Sequence, residues 1–357
     1  MLGSWLRRQS PPLLGLDISA SSVKLVELGL NAANKLVLER YAIEPLEHGW
    51  VVEGNVEKFD EVADALRRAV RKSGSRTRHA AFALPPSAVI TKKIILPAGL
   101  SEEELEIQVE SEANQYIPFS LDEVSLDFCV IGPSAASIED VEVLIAASRK
   151  EKVQDRQGLA EAAGLKAVIL DVESYAARLA ISRLIMRLPG EGRDAVVALF
   201  EIGSTTTSMQ VLRGDEVLYE RDQAFGGAQL TQMIMRQYGF SAEEAEIKKR
   251  HGDLPDDYGT GVLAHFIAAI AQEIARALQF FFASTTHHRI DCVLLAGGSA
   301  VLPGLTNAVK RQTSFSCSVI NPFEGMDIGA NVHEKKVRQE APSYLTACGL
   351  AMRRFTQ

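Results

Sequence analysis

Two segments of the chain, about half its length apart, repeat one pattern of residues. Each has an apolar strand, an acidic residue, a tight turn rich in Gly, Ser or Thr, and a second apolar strand; they lie at Gly15–Leu25 and Glu201–Met209. Turn amides and hydroxyls can hold phosphate oxygens, and an acidic side chain can hold a metal ion or a water. The repeat therefore predicts an α/β fold of two lobes that hold a nucleotide between them.

The candidate phosphate-binding residues lie in these two turns. The first turn offers an acid, three hydroxyls and a lysine: Asp17, Ser19, Ser21, Ser22 and Lys24. The second offers an acid, a glycine and three hydroxyls: Glu201, Gly203, Ser204, Thr205 and Thr206. Either turn alone is equally typical of an ordinary hairpin. Two of them, half a chain apart, favour one phosphate ligand gripped by duplicated lobes.

A glycine pair at the end of a buried strand is a third candidate element. The strand Leu294–Ala296 leads directly into Gly297, Gly298 and Ser299. Glycine lets the backbone approach a flat base or a phosphate closely. The same sequence also fits a simple strand-to-helix turn, so it gains meaning only beside the two hairpins.

Three charged residues on predicted helices have both a functional and an ordinary interpretation. Glu246 and Lys249 lie three apart on one helix and face the same side, as in a ribose-binding pair or a surface ion pair. Glu173 lies at the start of another helix. There it could position an attacking water or only complement the helix dipole.

Composition and charge exclude several classes of protein. A chain of 357 residues predicts about two domains, and its net charge of −8 without a basic stripe argues against nucleic acid as a partner. The four cysteines form no C-x-x-C pair, so we expect free thiols. The longest apolar candidate, Tyr258–Gln272, is too short to span a bilayer, and Met1–Pro12 lacks a signal-peptide core. We therefore expect a cytoplasmic protein without a membrane span.

The order of these motifs resembles the actin-like ATPase superfamily. In that comparison Gly15–Leu25 and Glu201–Ser208 look like the first and second phosphate motifs, and Leu295–Pro303 looks like the adenosine motif. Val172–Ala180 and Tyr344–Met352 look like the two helices that connect the lobes.

Within that superfamily the chain is similar to the PilM family of type IV pilus assembly proteins. The similarity covers nearly the whole chain, and its most specific stretch is Gln115-Tyr116-Ile117-Pro118-Phe119. Other similar segments extend from the first turn to the Glu246 helix: Leu14–Leu25, Tyr41–Leu46, Leu100–Leu105, Glu112–Asn114, Ala146–Lys150, Leu170–Glu173 and Glu244–Lys249.

The resemblance implies a fold and a division into subdomains. It implies a two-lobed actin-like ATPase fold, a duplicated ribonuclease H-like α/β architecture, in the branch of FtsA, where an α+β insert called 1C replaces the 1B subdomain of actin. The implied bounds are 13–86, 168–190 and 343–357 for subdomain 1A, 87–167 for 1C, 191–226 and 289–342 for 2A, and 227–288 for 2B.

The resemblance also implies ligands and partners. It implies ATP bound by both turns, the glycine pair with Ser299, and Glu246 with Lys249. Mg²⁺ would be held by Asp17 and Glu201, directly or through water, with Glu173 and Glu201 as the catalytic candidates. The implied partner is the cytoplasmic N-terminal peptide of PilN in a groove between 1A and 1C. That peptide would recruit the protein to the inner membrane and link it indirectly to PilO, PilP and other pilus motor or platform proteins.

One residue departs from the family's pattern. The second phosphate motif usually carries Asp, and Glu201 stands there instead. Its extra methylene moves the carboxylate by roughly 1.5 Å. Because metal and water sites tolerate little displacement, we expect weak or absent ATPase activity.

Two alternative functions remain open at this stage. A small-molecule kinase of the same fold would need a carboxylate base directed at a substrate hydroxyl in the cleft. An FtsA-like filament protein would need a membrane tether such as an amphipathic C-terminal helix, and the sequence ends directly after its last predicted core helix.

Overall fold

The computed structural model describes residues 11–134, 137–188, 192 and 194–356. The predicted boundary at 190/191 and most of the N-terminal segment 1–12 lie outside these residues. The described strands form two large sheets, a three-stranded sheet and a short hairpin. The two large sheets carry the two acidic turns.

The first large sheet has six strands in the order β10-β6-β1-β2-β3-β16. Strands β1, β2 and β3 are antiparallel, and β6 and β10 continue the sheet in parallel beyond β1. Every residue of β1 is buried, as its unbroken apolar run predicts. The strand bounds are β1 Leu14–Ile18, β2 Ser22–Leu30, β3 Leu36–Pro45, β6 His79–Leu84, β10 Lys166–Val172 and β16 Asp327–Ile328.

The second large sheet repeats this plan in the order β13-β12-β11-β14-β15. Its first three strands are again antiparallel, and β14 again lies parallel beside the first of them. The bounds are β11 Val196–Ile202, β12 Thr207–Arg213, β13 Glu216–Gln223, β14 Cys292–Ala296 and β15 Ser316–Val319. The shared order of strands confirms the predicted two-lobed, duplicated α/β fold.

Helices cover both sheets. Helices α1 and α3 pack on one face of the first sheet, and α4 and α10 on the other. In the second lobe, α5, α6 and α7 lie between β13 and β14 in the chain and α8 lies between β14 and β15, and their apolar residues pack with the second sheet. The bounds are α1 Phe59–Ser73, α3 Lys150–Ala162, α4 Glu173–Ile185, α5 Gly227–Tyr238, α6 Ala242–His251, α7 Ala264–Ser284, α8 Leu305–Thr313, α9 Glu334–Glu340 and α10 Leu345–Met352.

An α+β unit is inserted between β6 and β10, where the sequence predicts it. It contains β7 Val89–Pro97, α2 Glu102–Tyr116, β8 Val124–Pro133 and β9 Asp140–Arg149, with strand order β7-β9-β8. A capping box at Ser101 starts α2: the Ser101 side chain accepts from the Glu104 amide, and the Glu104 side chain accepts from the Ser101 amide. Helix α3 then returns the chain to the first sheet. The small hairpin of β4 Val51–Val52 and β5 Asn55–Val56 lies nearby.

Two glycines let the connecting helix α10 approach its neighbours. A Cβ on Gly349 would lie 1.7 Å from the Ala176 carbonyl oxygen on α4. A Cβ on Gly15 would lie 2.1 Å from the Ala347 carbonyl oxygen on α10. Helix α10 therefore packs backbone to backbone between β1 and α4.

One helical stretch, Asp256–Ser284, is long and apolar enough by length and composition to cross a membrane. It extends beyond the predicted candidate, which ended at Gln272. Half of its most apolar window is buried, and Phe266, Ile270, Ile274 and Phe281 belong to the core of the second lobe. Its apolar side chains therefore pack inside the lobe.

Candidate functional site

The first acidic turn is closed by hydrogen bonds around a buried ion pair. Asp17 lies at the end of β1, and Lys24 Nζ donates to its Oδ2 at 2.7 Å and to Ser19 Oγ at 3.1 Å. Both the amide and the hydroxyl of Ser19 donate to the Ser22 carbonyl oxygen at 3.0 Å. Ser21 completes the turn, so all five predicted residues lie together.

The second turn is packed against the start of helix α5. The Gly203 amide donates to the Thr206 carbonyl oxygen at 2.9 Å, which closes the turn, and Thr205 is exposed. The Gly203 carbonyl oxygen accepts from the Gly227 amide at 2.9 Å, and the Ser204 carbonyl oxygen accepts from the first helical turn at 2.8 Å. The hydroxyl-rich turn and the amino end of α5 thus form one surface.

The predicted glycine pair lies on the same surface. Gly297 has φ of +86°, and a Cβ there would lie 2.3 Å from the Ile202 carbonyl oxygen, beside the second turn. A Cβ on Gly227 would lie 2.7 Å from Ser299 Oγ. Gly298 lies between Gly297 and Ser299 in the chain. The backbone just after β14 therefore lies close to the end of β11, and the Ser299 side chain lies against the start of α5.

Glu246 and Lys249 form a partly buried ion pair that faces the amino end of α5. Lys249 Nζ lies 2.6 Å from Glu246 Oε2 and donates to Thr231 Oγ1 at 2.7 Å and to the Gly227 carbonyl oxygen at 3.3 Å. Burial raises the pKa of Glu246, but the charge and hydrogen bond of Lys249, the Thr231 hydrogen bond and the Arg250 charge together outweigh burial, so the pKa is lowered. Burial lowers the pKa of Lys249. The pair is therefore partly buried at this surface, with the Lys249 and Glu246 side chains 18% and 33% exposed.

Four further residues at this surface were not predicted from the sequence. Gly226 and Gly227 start α5, Thr231 accepts from Lys249 and donates to Glu246, and Arg250 donates to Glu246. The glycine pair directly after β13 is the signal that could have identified the first two. Arg250 also reaches across the cleft, where its Nη2 donates to the Ser21 carbonyl oxygen at 3.5 Å. It therefore joins the second lobe to the first turn.

Three carboxylates face one another across the cleft. Asp17 and Glu201 end equivalent strands of the two sheets, and Glu173 starts α4. Burial, followed by the Asp17 and Glu201 charges, raises the pKa of Glu173 to about 8. Burial and the Asp17 charge likewise raise the pKa of Glu201 to about 7. Such mutual repulsion is relieved by a proton or a cation.

The acidic cluster has few direct partners. Thr346 Oγ1 lies 3.4 Å from both Glu201 carboxylate oxygens, and its hydrogen bond lowers the pKa of that carboxyl. Within the described part of the chain, no three His, Cys, Asp or Glu side chains are close enough together to ligate one metal ion.

A separate cavity of about 350 Å³ lies between the small β4–β5 hairpin and the insert. The Arg149 guanidinium lies 4.3 Å from the centre of the Phe119 ring at one wall, and Ser148 Oγ donates to the Ala88 carbonyl oxygen at 2.8 Å. The lining residues are Glu53, Asn55, Ser87, Ala88, Ile90, Phe119, Val124, Ala147, Ser148, Arg149 and Lys152.

The architecture and the cleft define a protein of the actin-like ATPase fold. The ethanolamine utilization protein EutJ from Carboxydothermus hydrogenoformans matches 96% of this chain and 89% of its own at a TM-score of 0.57 and 17% identity. A diol dehydratase-reactivating factor matches 97% of this chain and 100% of its own at a TM-score of 0.55 and 11% identity.

More particularly, the family model of the type IV pilus assembly protein PilM matches residues 15–355, and the chain belongs to this family. A solved PilM-PilN type IV pilus biogenesis complex contains a chain that is 29% identical. It covers 96% of this chain and 98% of its own at a TM-score of 0.77. The resemblance inferred from the sequence, and the actin-like fold that it implied, are confirmed.

Proposed function

We propose that this pilus assembly protein binds ATP in the cleft, binds the cytoplasmic N-terminal peptide of PilN, and couples the two. The observation that carries the nucleotide site is the convergence of the second turn, the Gly297 pair and the Glu246–Lys249 pair on the start of α5. The positive end of the α5 dipole favours an anion such as phosphate beside it, and the turn offers hydroxyl groups there.

Each predicted residue has a place in this proposal. Glu246 and Lys249 would bind the ribose, and Gly297, Gly298 and Ser299 would contact the adenine. Phosphate oxygens would be held by the two turns: Ser19, Ser21, Ser22 and Lys24 in the first, and Gly203, Ser204, Thr205 and Thr206 in the second. The equivalent positions of the two turns in the two sheets support one ligand between them.

Mg²⁺ fits the acidic cluster as a hydrated ion. Asp17 and Glu201 would hold its waters, and bound Mg²⁺ would neutralise phosphate charge. Glu173 would act on a water only when ionised, and its raised pKa keeps it largely protonated at neutral pH. The Glu201 carboxylate lies beside the Thr346 hydroxyl. The second phosphate motif of the family usually has the shorter Asp side chain at this position. Both features support weak or absent ATPase activity.

The cavity beside the insert suits an extended peptide from PilN. The related complex joins a PilM chain with PilN. In this chain the cavity has apolar walls from the insert and the cationic Arg149 and Lys152 at its rim. It lies between the proposed subdomains 1A (13–86, 168–190 and 343–357) and 1C (87–167), with 2A (191–226 and 289–342) and 2B (227–288) forming the other lobe. Through PilN the protein would be recruited from the cytoplasm to the inner membrane, near PilO and PilP.

Calorimetric titration with Mg-ATP tests the nucleotide site. Lys249→Met should weaken ATP binding at least about tenfold, since it removes a buried charge from the proposed ribose site. Lys248→Met is the matched control, because Lys248 is the neighbouring lysine of the same helix and pairs instead with the exposed Asp253 just beyond the helix. Equal affinities for the parent and Lys249→Met would overturn the assignment.

A further inference from the structure

The fold gathers four exposed cations at one end of the first lobe. Arg71 lies in the last turn of α1, Arg76 and Arg78 lie in the connection from α1 to β6, and Lys166 is the first residue of β10. The Lys166 amide donates to the Arg78 carbonyl oxygen at 2.8 Å, so the starts of β6 and β10 lie side by side. We call these four residues the basic patch.

The cations of the basic patch have no acidic partner. Within the described residues, no carboxylate oxygen lies within 4.0 Å of any of the four, and the Arg78 guanidinium donates only to the carbonyl oxygen of its neighbour Thr77. The nearby acids are bonded elsewhere: Glu27 accepts from the Thr77 hydroxyl at 2.6 Å, and Glu44 pairs with Arg68. The fold thus leaves positive charge unneutralised here, although the whole chain carries −8.

The basic patch lies at the end of the first sheet that is opposite the cleft. Strands β1, β6 and β10 are parallel, and Asp17 lies near the carboxyl end of β1. In the register, Lys166 stands opposite His79, and Leu14 stands opposite Ala80. The patch therefore lies at the amino ends of these strands, away from the acidic turns, and none of its residues lines the cavity beside the insert.

An anionic lipid surface is the partner whose chemistry fits this patch. Acidic headgroups attract exposed Lys and Arg side chains and require no shaped groove. Nucleic acid is read by a helix or a two-stranded ribbon that enters a groove, or by aromatic side chains that stack on bases. The patch offers instead the carboxyl end of α1 and the starts of two strands, and residues 71–79 contain no Phe, Tyr or Trp.

The first residues of the sequence favour the same partner. The chain enters the first lobe at β1, whose start lies beside the start of β6 at this end of the sheet. The preceding segment contains apolar and basic residues: Leu2, Trp5, Leu6, Arg7 and Arg8. Trp and Leu together with Arg are the composition of segments that bind at a bilayer interface.

We propose that the basic patch binds the anionic surface of a phospholipid bilayer and turns this end of the first lobe toward the membrane. The attraction is electrostatic and needs neither nucleotide nor PilN. It goes beyond the proposed function, in which PilN alone recruits the protein to the inner membrane.

Sedimentation of the full chain with phospholipid vesicles, without PilN or nucleotide, tests the proposal. We expect the parent to bind vesicles of phosphatidylcholine mixed with phosphatidylglycerol and not vesicles of phosphatidylcholine alone, and high salt should release it. The combined variant Arg71→Gln, Arg76→Gln and Arg78→Gln should bind the anionic vesicles at least about tenfold more weakly, because three cations near the surface are lost.

A second triple variant separates the patch from the net charge of the protein. Arg236→Gln, Lys310→Gln and Arg311→Gln remove three exposed cations from the last turns of α5 and α8 in the second lobe. The net charge changes by the same amount, and vesicle binding should stay within about twofold of the parent. Equal weakening in the two triple variants would overturn the proposal.

The remaining outcomes also decide the question. A parent that does not bind the anionic vesicles would overturn the proposal, whether or not it binds a double-stranded DNA fragment through the same residues. If the first triple variant does not fold, Arg76→Glu carries the test, since it changes one exposed side chain outside any helix or strand and should weaken vesicle binding at least about fivefold. Binding by Arg76→Glu equal to that of the parent would then refute the assignment.

Discussion

Lys24 Nζ lies 2.7 Å from Asp17 Oδ2, and the two side chains are only 11% and 7% exposed. The residues stand directly opposite each other in the β1–β2 register. The lysine thus neutralises one of three carboxylates in the cleft, and its charge also lowers the pKa of Glu173 and Glu201. The first acidic turn carries its own counter-charge.

Removal of this lysine should destabilise the fold. Lys24→Met leaves the Asp17 carboxylate buried beside two others, and we expect a loss of about 3 kcal/mol in unfolding free energy at pH 8. Urea denaturation measures it. Lys35→Met is the matched control, since its pair with Asp327 is about half exposed and should be worth less than about 1 kcal/mol. Equal losses in the two variants would contradict the account.

The raised carboxyl pKa values predict a pH-dependent stability. In Glu173 and Glu201 the folded-state pKa, about 8 and about 7, exceeds the ordinary 4.5. The folded protein therefore binds more protons than the unfolded chain between pH 4.5 and 8. The contribution of these two carboxyl groups to the unfolding free energy falls as pH rises through that window. Glu173→Gln should lessen the loss of unfolding free energy between pH 5 and pH 9 by about 2 kcal/mol. The exposed Glu103→Gln serves as control, and an identical pH dependence in both variants would refute the assignment.

Close packing of α10 should not tolerate a methyl group at Gly349. A Cβ there would lie 1.7 Å from a carbonyl oxygen of α4, so Gly349→Ala must separate the two connecting helices. We expect a loss of at least about 3 kcal/mol, visible as a lower melting temperature. Gly261→Ala, with no heavy atom within 4 Å of the new methyl, should change stability by less than about 1 kcal/mol. A melting temperature of Gly349→Ala equal to that of the parent would contradict close packing of these helices.

The length of the Glu201 side chain should limit ATP hydrolysis. Glu201→Asp withdraws the carboxylate from Thr346 and restores the residue usual for the second phosphate motif. Because displacement of about 1 Å can cost 10²-fold in rate, we expect steady-state phosphate release to rise at least about tenfold. Glu220→Asp, on the edge strand β13, should have no effect. A parent that already hydrolyses ATP as fast as Glu201→Asp would show that this position does not limit turnover.

Local signals in the sequence predicted most of the scaffold. Both acidic hairpins and the strand before Gly297 appear close to their predicted bounds, because apolar strand runs and glycine turns act within a few residues. The short elements α8, β15, β16 and α9 were not predicted. Their two to nine residues carry too little periodicity to be recognised without the surrounding packing.

The candidate site was predictable in its parts and not in its assembly. The contacts of Glu246 and Lys249 with Thr231 and Gly227, which lie 15 to 22 residues away in sequence, could not be predicted from the spacing of the pair. Thr346 meets Glu201 across 145 positions, and Arg156 meets Gly54 across 102. Such contacts are set by how the sheets and the insert pack together, and a single sequence carries no local trace of them.

The central claim is that nucleotide in the cleft and the PilN peptide in the cavity are thermodynamically coupled. Titration of the labelled PilN N-terminal peptide, with and without saturating Mg-ATP, measures the coupling directly. We predict an affinity change of at least about fivefold for the parent, and no change for Lys249→Met at the same ATP concentration. Identical peptide affinities of the parent with and without Mg-ATP would contradict the account.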